Sequence, residues 1–276
     1  MRSSGRGYTI LEVMLFLAIT GALFVSAFAI MRGQQTRTQF AQGMRDIESK
    51  FRDYINDVST GYFPTVGSFD CRVNSGAIQF TVNAVAADTT GTNLDCIFLG
   101  KAIQAQRRPS ETTDLLNAYT VVGKRRVTVA GSSRDTNNYT QAEADPTAVV
   151  DDSISLDKTD VFELPWGVRL KSVVTPSNNR AMLGVYGTLS QTLTSLPGNT
   201  ESGNQQLRPI LYDLDIDADR DTAVSHINDT DTYGVLATPF DSWSLCFIRN
   251  DNGETAQITI GGGNNATTVV LEFKDC

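Results

Sequence analysis

At 276 residues and 41% apolar composition the chain is long enough to bury a sizeable core. Its net charge of −8, from 23 Lys and Arg against 31 Asp and Glu, disfavours nonspecific binding to nucleic acid or anionic lipid, whose phosphates attract basic side chains. A single histidine and no Cys-x-x-Cys spacing argue against zinc, and no phosphate loop, dinucleotide fingerprint or nucleophile elbow is present, so no enzymatic activity and no resident cofactor are expected.

The chain opens with an apolar run from Tyr8 to Met31, 24 residues with Glu12 as their only charge. About 20 apolar helical residues cross a bilayer core of ~30 Å, so the run reads as membrane-spanning. A carboxylate there is expensive, roughly 2.5 to 3.5 kcal/mol at the bilayer centre and less toward the interface, and requires a partner. No basic side chain lies between Tyr8 and Met31. Cutting the chain after Gly7 would create an ammonium group on Tyr8, one helical turn from Glu12, which an axially staggered second copy can present to that carboxylate. An ordinary secretory signal, with Val25-Ser26-Ala27 or Ala27-Phe28-Ala29 as its cleavage site, does not account for Glu12 within the apolar core. A plain membrane anchor accounts for the length but for neither Gly7 nor Glu12.

Arg6-Gly7-Tyr8-Thr9-Ile10-Leu11-Glu12 and the apolar run behind it resemble the start of type IV pilins and type II secretion pseudopilins, whose short leader ends in Gly and whose mature chain carries Glu at its fifth position. The resemblance implies cleavage between Gly7 and Tyr8 by a prepilin peptidase, N-methylation of Tyr8, and assembly through Glu12. It also implies an assembly platform and other pilin subunits as partners. The subunit would cross the cytoplasmic membrane once before assembly, head outward, and stand in an extracellular pilus or pseudopilus afterwards.

Phe40, Met44, Ile47, Phe51, Ile55 and Val58 recur at helical spacing, and no proline occurs before Pro64, so one helix is predicted from Tyr8 to about Asp57. Asp46 with Lys50 and Glu48 with Arg52 stand at i,i+4 on its polar side. Gly21, Gly33 and Gly43 weaken it locally. The expected organisation is a leader at 1–7, a membrane or filament-core helix at 8–31, an amphipathic continuation at 32–58 and a β-rich head at 59–276.

Within the head, strands are predicted at Ala77–Asn83, Cys96–Ala102, Tyr119–Val122, Val127–Ala130, Val168–Val174, Arg180–Tyr186, Ile210–Asp215, Ser244–Arg249, Ala256–Ile260 and Thr268–Phe273. Gly131–Lys158 and Leu189–Arg208 are polar and read as surface loops or insertions. The fold class is therefore α+β, a long N-terminal helix packed on an antiparallel sheet, which the resemblance makes type IV pilin-like with loop insertions. The segment from Trp243 to Cys276 is also similar to the C-terminal hairpins of the H-type pseudopilin and related minor pilins. Cys71, Cys96, Cys246 and Cys276 suit two disulfides outside the cytoplasm. Of three possible pairings, Cys71 with Cys96 and Cys246 with Cys276 each bracket one compact stretch.

The densest cluster of one charge is Asp213-Leu214-Asp215-Ile216-Asp217-Ala218-Asp219-Arg220-Asp221. Asp215, Asp217, Asp219 and Asp221 are candidate calcium ligands, since calcium takes six to eight oxygens in irregular geometry. An EF-hand loop begun at Asp215 fails, with Arg220 at its sixth position and His226 at its twelfth; a solvated acidic strand edge is the competing reading. Lys101, Arg107, Arg108, Lys124, Arg125 and Arg126 form a basic set without interleaved aromatics, so DNA is not an expected partner. His226 reads as a surface or capping residue, and Trp166 and Trp243 as core or sheet-face residues. A filament-mounted adhesive module, binding through the polar insertions and the acidic cluster, is the alternative function.

Overall fold

The computed structural model describes residues 9–61, 69–82, 96–124, 126–129, 132–135, 145–174, 180–187, 207–236, 242–249, 253–261 and 268–276. The chain divides into two compact units, Met1–Gln42 and Gly43–Cys276, and helix α1 (Ile10–Thr60) runs through both. The head thus begins inside the helix rather than after it, because the amphipathic half of α1 supplies part of the head's core.

Along the chain follow β1 (Phe69–Asn74), β2 (Ala77–Val82), β3 (Cys96–Gln106), β4 (Leu115–Lys124), β5 (Arg126–Val129), β6 (Ser132–Asp135), β7 (Thr147–Ala148), β8 (Val150–Asp151), β9 (Leu156–Asp157), β10 (Thr159–Glu163), β11 (Val168–Val174), β12 (Met182–Gly187) and β13 (Leu207–Tyr212). Then come the helices α2 (Arg220–Asn228) and α3 (Thr230–Tyr233), and the strands β14 (Gly234–Leu236), β15 (Ser242–Arg249), β16 (Thr255–Gly261) and β17 (Val269–Glu272). A seven-stranded sheet has the order β10-β4-β3-β12-β13-β14 with β7 also on β4, and a four-stranded sheet has the order β11-β15-β16-β17. Every ladder between these strands is antiparallel, and Arg180 and Leu214 form an isolated parallel bridge. The class is α+β.

The helical stripe read from the sequence is the face that packs. Met44, Ile47, Phe51, Ile55 and Val58 are buried, together with Tyr54. This half of α1 touches both sheets. Phe51 meets Trp243 of β15 edge to face at 5.9 Å, and Arg52 donates to the Val269 carbonyl of β17 at 3.1 Å. On the larger sheet Lys50 pairs with Asp160 of β10 at 2.8 Å, and Lys101 of β3 pairs with Asp57 at 2.5 Å. Both ammonium groups approach the Tyr54 ring, Lys50 Nζ to 5.0 Å and Lys101 Nζ to 5.1 Å of its centre. Of the two expected intrahelical pairs, Glu48 with Arg52 forms at 2.6 Å. Lys50 turns to Asp160 instead, where a partly buried contact is less screened than a pair in water.

Several strand predictions shift by a few residues, and one coincides, Val168–Val174. The stretch expected as the loop Gly131–Lys158 contains β6, β7, β8 and β9, and buries Ala148, Val149 and Leu156. Those apolar residues are too few and scattered to show a period of two, and pairing rather than pattern makes them strands. Of Leu189–Arg208, the last two residues open β13, and 188–206 lie outside the described residues. Trp243 is 1% exposed, as a core residue should be, whereas Trp166 stands in a turn and is 47% exposed.

Candidate functional site

Thr9 precedes the first helical residue, and its hydroxyl oxygen and carbonyl both accept from the Glu12 N–H, at 3.3 and 3.0 Å. Thr9-Ile10-Leu11-Glu12 is the spacing of a capping box, in which a Thr satisfies an otherwise orphaned N–H three residues on. The cap fixes where α1 starts. It places the Glu12 carboxylate in the first helical turn, where the helix dipole favours negative charge. The sequence signal for Thr9 was available in that spacing, although composition and the apolar run draw attention only to Glu12.

The segment Ile10–Ala27, which includes Glu12, has a mean hydropathy of 2.2, long and apolar enough to cross a membrane, and none of its residues is buried. Leu11, Met14, Phe16, Leu23 and Phe24 are all exposed. Its hydroxyls are satisfied within the helix: Thr20 donates to the Phe16 and Leu17 carbonyls, and Ser26 to those of Ala22 and Leu23. Such pairing suits a solvent without hydrogen-bonding capacity. Gly7 and Tyr8, the residues expected at the cleavage site, lie outside the described residues.

Cys71 bonds Cys96 and Cys246 bonds Cys276, the pairing preferred from the sequence. The first ties the β1–β2 hairpin to the start of β3, and the second ties the end of the chain to the middle of β15. Disulfides of this kind persist in oxidising compartments outside the cytoplasm.

The four aspartates considered for calcium do not converge. Asp215 accepts from the Asp217 N–H at 2.9 Å; Asp217 takes a two-pronged contact from Arg107, Nε and Nη2 each at 2.7 Å; Asp219 caps α2 by accepting from the Thr222 N–H at 2.9 Å. Asp221 lies in the first turn of α2. The hydrogen bond from Arg107 holds the Asp217 carboxyl below its ordinary range, and the bond from Thr222 does the same for Asp219. No three His, Cys, Asp or Glu side chains among the described residues are grouped to hold a metal ion. The run is not a strand edge either: β13 stops at Tyr212, and the acidic residues form the turn and cap that start α2. That turn is held from below by amides, because Gln104 and Gln106 both donate to the Ala218 carbonyl, at 2.9 and 3.0 Å.

The basic residues are individually engaged as well. Lys101 is paired with Asp57, Arg107 with Asp217, and Lys124 with Asp145, while Arg108 donates to the Thr113 carbonyl and hydroxyl. Arg125 lies outside the described residues, as does the side chain of Arg126. His226 sits in the last turn of α2 with its ring stacked on Tyr233 at 3.8 Å.

No protein-family model matches the chain, and no curated protein and no solved structure is significantly similar to it.

Proposed function

We propose that this chain is a minor pilin or pseudopilin: a subunit that waits in the cytoplasmic membrane, is trimmed by a prepilin peptidase between Gly7 and Tyr8, and is assembled into a helical filament through α1. The observation that carries the reading is the Glu12 carboxylate in the Thr9-capped first turn of an exposed apolar helix that continues without a break into a disulfide-bonded domain. The continuity matters because the alternative cleavage sites around Ala27 fall in mid-helix.

The residues would act in sequence. The apolar stretch of α1 stores the subunit in lipid. Cleavage supplies an ammonium group at Tyr8, and the Glu12 carboxylate attracts the terminus of a neighbouring copy in a low-dielectric helix bundle, where an unpaired charge costs several kcal/mol. Loss of the carboxylate removes that attraction and leaves the head unchanged. Glu12→Ala is therefore expected to keep a folded head in the membrane fraction while filament incorporation falls at least tenfold; wild-type filament yield from this variant would contradict the reading.

A further inference from the structure

We infer that the turn carrying Trp166 is a contact surface for a second copy of this chain, with the indole packing on the apolar face of that copy's α1. The inference rests on the filament reading above and adds the residue on the head that receives the neighbouring helix.

The Val168 N–H closes the turn by donating to the Pro165 carbonyl at 3.1 Å, and both central residues are left-handed, with φ of 58° at Trp166 and 70° at Gly167. Two left-handed residues in succession mark a type I′ turn, which takes Asn, Asp or Gly because a Cβ meets its own backbone there. A bulky ring in that position is an outlier of the kind that clusters at binding sites. Nor does the ring serve as core. It is 47% exposed, while Trp243, the other tryptophan, is 1% exposed.

The edge of the indole lies against α1. A Cβ built on Gly43 would stand 3.2 Å from Trp166 Cδ1, so the helix comes close to the turn at this glycine, and about half of the tryptophan stays exposed. What fits a half-exposed indole beside a helix is a second apolar helix laid alongside the first. This chain owns such a helix, since Ile10–Ala27 is unburied throughout. Lipid covers it while the subunit is in the membrane, and in a filament the cover must come from other copies. Tryptophan is one of the side chains enriched among those that dominate interfaces, where a partner covers it fully.

The test is Trp166→Asn in the full chain. Asn is at home in the left-handed turn, which offsets the indole's lost contact with α1, so the head should stay folded with a melting temperature within about 4 °C of the parent, while the share of subunit recovered in filaments falls about tenfold or more. Trp166→Tyr, which keeps an aromatic face, should recover part of the lost yield. An Asn variant that enters filaments as the parent does would overturn the inference. So would an Asn variant that is lost from the membrane before assembly while its retained fraction assembles normally, since the ring would then be contacting lipid. A parent chain that enters no filament would sink the filament reading itself.

Discussion

Arg169 on β11 grips Asp114, just ahead of β4, and so bolts the smaller sheet to the larger one. Arg169 Nε lies 2.9 Å from Asp114 Oδ2 and Nη2 lies 2.9 Å from Oδ1. Asp114 is fully buried, and its two oxygens also accept from the Arg108 N–H at 2.8 Å and the Leu170 N–H at 2.7 Å. The guanidinium in turn donates to the Glu111 and Arg108 carbonyls, so both charges are enclosed by hydrogen bonds. Asp114→Ala would leave Arg169 facing an empty site and two N–H groups unpaired. Truncating one partner of a buried pair costs about 3–5 kcal/mol, and chemical denaturation of the head should show a loss of that order. A loss below about 1 kcal/mol would mean that the Arg169–Asp114 pair adds little to the other contacts between the two sheets, among them the Trp243 Nε1–H donated to the Arg180 carbonyl at 2.7 Å.

Tyr212 gives the head a defined alkaline limit. Its phenol, at the end of β13 in the larger sheet, is buried in the core with Ala223 and Ile227 of α2, shares hydrogen bonds with Tyr186 at 2.6 Å and Thr230 at 3.0 Å, and burial pushes its pKa up to about 12. The unfolded phenol ionises near 10, so the proton it keeps on folding contributes stability that is intact below about pH 10 and is lost as pH rises toward 12. Tyr54 is raised in the same direction, by burial first and by the Asp160 and Asp57 carboxylates second. Unfolding free energy measured from pH 8 upward should stay level to about pH 10 and then fall by roughly 3 kcal/mol for Tyr212 alone. A level profile through pH 11 would show that these phenols are hydrated in the native head.

Much of this organisation is legible in the sequence because it rests on period and composition. The stripe from Met44 to Val58 is a repeat of three and four, and the helix it predicts is the one present. Cys71, Cys96, Cys246 and Cys276 pair as their bracketing suggests. What escapes is fixed by partners distant in sequence. Nothing near Asp114 announces Arg169, 55 residues on. The acidic run around Asp217 suggests one shared cation, yet Arg107 claims Asp217 from 110 residues away. The start of α2 was within reach, since Asp219 stands three residues before Thr222 and the buried Ala223 and Ile227 are four apart, but the alternation of carboxylates hid the cap.

Cys246–Cys276 closes a loop of sequence separation 30 around β16 and β17. Removing a native disulfide typically costs about 2–5 kcal/mol, most of it through the freedom returned to the unfolded chain. Cys246→Ala with Cys276→Ala should lower the melting temperature of the head by about 4–15 °C, and amide exchange should quicken first in β17, which is a sheet edge. Unchanged melting would indicate that β17 is held by its pairing with β16 and by Arg52 without help from the bridge.

The most direct test of the central claim is the mass of the N-terminal peptide taken from membranes or sheared filaments. A chain beginning at N-methylated Tyr8 is the predicted result, and it would join Glu12, the apolar helix and the head in one filament subunit. A chain beginning near Phe28 would mean that the apolar segment is discarded as a secretory signal, and it would contradict the account.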